Sequence, residues 1–178
     1  MFIKNTNSWT DRLIKDILNE LKNMPLWQEK IDNAYSSINP SINLHLAIFS
    51  EPYLTYLLEG KKTFESRFSI KKYPPYERIS EGDIIFVKKV TGPVIAICTV
   101  KKRNFYLLNS NSWNEIKKFS KELCIDHENF WIEKKNCSYA TIIEITDFIE
   151  IKPIQCYKRD RRGWVILRDI DPQMTVDY

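Results

Sequence analysis

The chain has 178 residues, of which 43% are hydrophobic and 13% aromatic, enough apolar material for one well-filled domain and too much for a disordered chain. Its four glycines form no GxGxxG and no Walker-type GxxxxGK pattern, which excludes the Gly-rich phosphate loops. The net charge of +4 permits a nucleic-acid partner without requiring one.

Residues 8–23 predict an amphipathic helix, with Ser8 as cap and Trp9, Leu13, Ile14, Ile17, Leu18 and Leu21 on one face. A second helix runs from Trp27 to Ser36, and Asn39-Pro40 ends it. Leu44–Phe49 reads as a short apolar strand. Ser50 then caps a helix carrying Tyr53, Leu54, Leu57 and Leu58, and Gly60 stops it where a left-handed residue is wanted. Thr63–Phe68 alternates, so Phe64 takes one strand face and Glu65 and Arg67 the other. Turns at Glu81-Gly82-Asp83 and Thr91-Gly92-Pro93 lead into strands Ile84–Lys88 and Val94–Lys101. Ser112 is expected to cap a helix over Trp113–Leu123, and Asp126–Trp131 to add a second helical piece. Tyr139–Ile151 and Trp164–Leu167 are the last strands.

Three parts follow: a helical N-terminal extension (1–42), a strand-rich domain (43–168) and a polar tail (169–178). The extension is expected to pack on the domain, with a protein partner for residues 8–36 as the alternative if its apolar face is bare. Cys98, Cys124, Cys137 and Cys156 form no CxxC pair, and His45 and His127 are the only histidines. Neither a metal nor a cofactor is expected. No apolar run reaches the ~18 residues that span a bilayer, and the N-terminus lacks a secretion signal. The expectation is a reduced cytoplasmic protein with no membrane partner.

The segment Gly60-Lys61-Lys62-Thr63-Phe64-Glu65-Ser66-Arg67 carries the chemistry. A helix stops and a strand starts at once, which brings Lys62, Glu65 and Arg67 within a few residues. Such a cluster can bind a base edge or a phosphate, or tune a group for proton transfer. From spacing alone it can equally be a surface ion pair of under ~1 kcal/mol.

A helix ending in Gly-x-Lys, followed by Thr-x-Glu-x-Arg on a strand, resembles the signature of the ASCH family, a branch of the PUA-like superfamily. Leu44–Phe49, Glu81-Gly82-Asp83-Ile84-Ile85, Val94–Lys101 and Gly163-Trp164-Val165-Ile166-Leu167 are similar to that family's successive strands and turns. The resemblance implies an α+β fold, a PUA-like mixed β-barrel with flanking helices, and a ligand cleft beside the signature. It implies binding of RNA or of a modified base. One ASCH branch is an amidohydrolase that deacylates N4-acetylcytidine, using the signature lysine, a threonine three residues later and a glutamate in the helical region. These positions carry Lys62, Glu65 and Glu128 here, so the threonine is replaced.

The expected function is therefore binding of RNA or single-stranded nucleic acid, or of a nucleoside-sized ligand, through Lys62, Glu65 and Arg67. A hydrolase for a modified nucleoside, or a nuclease, is the alternative, with Lys62, Glu65 and Glu128 as catalytic groups. Lys101, Lys102 and Arg103, close to Phe105 and Tyr106, have the basic-aromatic interleaving that suits a single strand. Arg159, Arg161 and Arg162 are the densest basic cluster. With Trp164 beside them they either contact phosphates and stack a base, or form a solvated loop with Trp164 in the core.

Overall fold

The computed structural model describes residues 8–170. Helix α1 (Trp9–Glu20) starts at Ser8, whose hydroxyl accepts the Asp11 N–H at 3.1 Å. A short 3-10 turn (Leu21–Asn23) leads into α2 (Pro25–Ser36), opened by a proline where a missing N–H costs nothing. Leu13, Ile14, Ile17 and Leu21 from the first helix and turn, with Ile31 and Ala34 from α2, are buried in one core with the sheet. This face is used internally. What the N-terminal segment leaves exposed is scattered, such as Leu26 in α2 and Ile38 beyond its end.

Six strands follow: β1 (Leu44–Phe49), β2 (Phe64–Ser69), β3 (Ile84–Lys89), β4 (Val94–Leu107), β5 (Tyr139–Ile154) and β6 (Trp164–Arg168). They form one sheet in the order β2-β5-β4-β3-β1-β6. β1 and β3 are parallel, with Leu44 opposite Ile84; the remaining pairs are antiparallel. The sheet curls into a half-barrel. Leu44, Leu46, Ile84 and Phe86 face the N-terminal helices, while Ala47, Phe49, Ile85 and Val87 face the barrel interior. Both faces of β1 and β3 are covered, so these strands read as continuous apolar runs instead of alternating.

Between β1 and β2 lies helix α3 (Tyr53–Leu58). Between β4 and β5 lie α4 (Ser110–Lys117), α5 (Ser120–Leu123) and α6 (Glu128–Lys134). These three pack a separate cluster against Ala140 and Ile142 of β5 and Phe64 and Phe68 of β2.

Three expectations are corrected. Ser50 does not cap α3; the Glu51 carboxylate accepts the Thr55 N–H and hydroxyl instead. The helix expected over Trp113–Leu123 is two helices. Asn109 caps the first, and Ser112 returns a bond to the Asn109 N–H at 2.8 Å, a reciprocal capping box. β4 continues past Lys101 to Leu107 because its pairing with β5 continues, Leu107 lying opposite Tyr139. The tail is anchored where it begins: Asp169 ion-pairs with Arg78, and the Ile170 N–H donates to Asn43 Oδ1 at 2.7 Å. Residues 171–178 lie outside the described residues.

A buried polar relay ties β1, β3 and β6 together. The Asp83 carboxylate, 1% exposed, accepts the Asn43 backbone and side-chain N–H groups, the Ser80 N–H and His45 Nε2, all at 2.7–3.0 Å. Trp164 Nε1, which can only donate, approaches His45 Nδ1 at 3.2 Å. His45 is therefore neutral, with its proton on Nε2 and directed at Asp83.

Asp83→Ala leaves His45 and Asn43 with buried, unpaired donors and is expected to cost about 1–3 kcal/mol for each donor left unsatisfied. Asp83→Asn is little better, since its NH2 must face donors whichever way it turns. Urea denaturation with unchanged stability in either variant would overturn this account. Ile17→Ala is expected to cost about 2–5 kcal/mol by opening a cavity, without altering ligand affinity, measured by thermal melting beside a binding titration.

A candidate ligand cleft at the open edge of the barrel

The cleft is built where α3 hands over to β2. Gly60 adopts φ +70°, a conformation cheap only without a Cβ. The N–H groups of Lys61 and Lys62 both fold back onto the Tyr56 carbonyl at 2.9 Å. The end of α5 docks on this turn. Its last carbonyls lack helical partners, so Glu122 O accepts the Thr63 N–H at 3.0 Å and Leu123 O accepts Lys62 Nζ at 3.2 Å.

In β2 the two-residue alternation sends Phe64 and Phe68 to the helical cluster and Glu65 and Arg67 inward. Lys62 Nζ lies 3.3 Å from Glu65 Oε2, and Arg67 Nε lies 2.8 Å from Glu65 Oε1. The Lys62 and Glu65 side chains are 3% and 7% exposed, that of Arg67 22%. Arg67 Nη1 donates to Gly163 O at 3.1 Å and Nη2 to Ile48 O at 2.9 Å. Its guanidinium stands over Phe49 and Trp164. One side chain thus links β2, an edge of the sheet, to β1 and to the loop before β6, the other edge. A Cβ at Gly163 would lie 3.3 Å from Arg67 Nη1, so the close approach favours glycine there.

Above these three charges opens a cleft of about 270 Å³. Its walls include Tyr53 of α3, Phe68 of β2, Phe130 and Lys134 of α6, and Ser50. Burial raises the pKa of the Tyr53 phenol, and nearby Asp126 and Glu133 add to the shift, so its hydroxyl stays neutral. The volume is near the lower end of the ~300–1,000 Å³ usual for small-molecule sites. The walls offer flat apolar faces, and the floor offers a carboxylate between two cations.

The sequence reading missed the walls. Tyr53 was assigned to an apolar helix face and Phe130 to a polar-aromatic stretch. Nothing local shows that α3 and α6 converge, because α3 ends at Leu58 and α6 begins only at Glu128. Phe130–Tyr53 ring packing at 6.1 Å is the contact that joins them.

The other candidates lie elsewhere. Glu128 opens α6 with its side chain 79% exposed, 3.8 Å from Lys117, and does not line the cleft. Lys101 pairs with Glu144 at 2.6 Å, Lys102 is exposed, and Arg103 packs over the half-buried Phe105; none reaches the cleft. Arg162 forks onto Asp160 with two 3.0 Å bonds, and Lys158 joins them, which holds the Asp160 carboxyl well below the usual range. Arg159 and Arg161 are exposed and carry no ion pair among the described residues. Their loop ends at Gly163, against Arg67, so it borders the cleft. Trp164 is not available for stacking on a base: it is 4% exposed, bonded to His45 and covered by Arg67. Burial drives the Cys98 thiol pKa far up, which removes it as a nucleophile. No helix among the described residues is long and apolar enough to cross a membrane.

No family model and no curated protein matches the chain in sequence. Solved structures match it in shape. An ASCH protein of Zymomonas mobilis superposes with a TM-score of 0.55 at 15% identity, covering 70% of this chain and 87% of that one. Two mutant forms of that protein give 0.54 and 0.56 at 16% and 15% identity, each covering 73% of this chain and 94% and 92% of the other. The chain therefore has the fold of an ASCH domain, a PUA-like half-barrel of mixed strands with helices packed around it.

Proposed function

We propose that the protein is a nucleic-acid-binding module that holds one base-sized ring, of RNA or of a modified nucleotide, in the cleft above Lys62, Glu65 and Arg67. The observation that carries this reading is the floor of the cleft. Three charged groups are drawn together beneath an opening lined by aromatic rings. Burying charges for stability alone gains little, since desolvation offsets the attraction. A polar floor under flat apolar walls is instead what an unstacked base requires: stacking for the ring and fixed donors and acceptors for its edge.

The basic loop ending at Gly163 supplies the backbone contacts. Arg159 and Arg161 are free to meet phosphates, whereas Arg162 is already satisfied by Asp160. The Lys62–Glu65 contact also supports a second reading, a hydrolase in which Glu65 moves a proton and Lys62 polarises a carbonyl. Glu128 does not line the cleft and is given no role in either reading.

Binding is tested by titrating the purified protein with short RNA and DNA strands and with modified nucleosides, with mass spectrometry on each mixture to detect turnover. Lys62→Ala and Glu65→Gln are expected to lower affinity by at least tenfold, as losing a charge-assisted bond of ~1.5–3 kcal/mol implies, with an unchanged circular-dichroism spectrum. Full affinity in both variants would refute the cleft as the binding site. Product formation would select the hydrolase.

The loop gives a separate expectation. Arg159→Ala and Arg161→Ala should each flatten the salt dependence of RNA affinity by about one contact, and Arg162→Ala by clearly less. Equal slopes for all three would remove the loop from the interface.

A further inference from the structure

We infer that Lys134 is the phosphate-holding residue of the cleft, so that the ligand is a phosphorylated nucleotide unit and not a bare base or nucleoside. This rests on the base-holding reading above and adds the chemical class of what is held.

Four charged side chains line the cleft: Lys62, Glu65, Arg67 and Lys134. The first three satisfy one another. Lys62 is committed to Glu65 and to Leu123 O, and Arg67 to Glu65, Gly163 O and Ile48 O. Lys134 has no carboxylate and no carbonyl partner for its ammonium among the described residues. Asp126 and Glu133 stand close enough to Tyr53 to raise its pKa, but neither lines the cleft or pairs with Lys134. Among the described residues the Lys134 ammonium stands over the Phe130 ring, 5.6 Å from its centroid, and acts at longer range on the Cys137 thiol; Phe130 is itself a wall of the cleft.

A cation held beside an aromatic wall, with its donors unused, suits a ligand that joins a flat ring to an anion. A nucleotide has that form: the base lies against the rings above Glu65, and a phosphate oxygen accepts from Lys134 Nζ. A lysine acts here as a point charge, so it takes a phosphomonoester or a phosphodiester alike. A free nucleotide and a residue within a strand therefore share this chemistry.

Binding is measured for the four common ribonucleosides and N4-acetylcytidine, for their 5′- and 3′-monophosphates, and for the matching trinucleotides, at low salt. Wild-type protein is expected to bind at least one phosphorylated form about tenfold or more tightly than its nucleoside, the effect of one charge-assisted bond. Lys134→Gln should erase that advantage, the nucleotide and its nucleoside then binding within about twofold of each other, whereas Lys134→Arg should keep it. Preference for the monophosphates identifies a free nucleotide, and preference for the trinucleotides a strand. Equal binding of nucleoside and nucleotide by the wild type, or a phosphate advantage that survives Lys134→Gln, overturns the assignment of Lys134 while leaving the cleft intact. Binding of none of these compounds overturns the base-holding reading, and the role of Lys134 with it.

Discussion

The half-barrel has two edges, β2 and β6, and Arg67 is the side chain that draws them together. A guanidinium can do this because it is a planar fork: one arm meets Glu65 on its own strand while the other two reach carbonyls on the far side. A lysine at this position has one ammonium centre and cannot span three acceptors in different directions. Glu65 sets the orientation of the fork, and Lys62 balances the second oxygen of Glu65. The cleft therefore exists because the barrel is closed by side chains at this point and not by a backbone ladder. The same atoms that complete the fold form the floor of the site.

This arrangement divides the molecule into a rigid part and a presented part. The interior relay from Trp164 through His45 to Asp83 is fully sheltered and fixes β1, β3 and β6 relative to one another. Trp164 belongs to both systems. Its indole N–H serves the relay, and its ring face supports Arg67. A disturbance of the relay is thus passed to the cleft through packing, without any change in the residues that touch a ligand.

Much of the architecture was legible in the sequence because its signals are local. The stripe of Leu13, Ile14, Ile17 and Leu21 announces a packed helix, Gly60 announces a stop, and Glu65 and Arg67 share a face by simple alternation. The similarity of Gly60–Arg67 to a known signature pointed to the fold, and the superposed structures agree with it. What failed was of two kinds. Caps were misassigned where several polar residues compete, as with Asn109 against Ser112 and Glu51 against Ser50. Trp164 stayed open between a base-stacking surface and the core because its neighbours Arg161 and Arg162 are charged, and the structure puts it in the core: the strand turns inward one residue after the basic loop. The cleft walls were illegible for a third reason: Tyr53, Phe130 and Lys134 meet only through tertiary packing.

The three helices between β4 and β5 have their own apolar cluster and touch the barrel chiefly along β2 and β5. They leave and re-enter the sheet at neighbouring positions, Leu108 N–H bonding Ser138 O at 2.8 Å. Such an excursion is a module that can be lengthened, shortened or rewritten while the strand register beneath it stays fixed. One wall of the cleft is made from this module, and Glu65 and Arg67 of the floor from the scaffold. The two meet where α5 carbonyls hold Lys62 and Thr63, so much of what contacts a ligand lies apart from the strands that set the fold. Diversification of what is recognised can then proceed by exchange of a single surface insert, with the closure around Arg67 inherited unchanged.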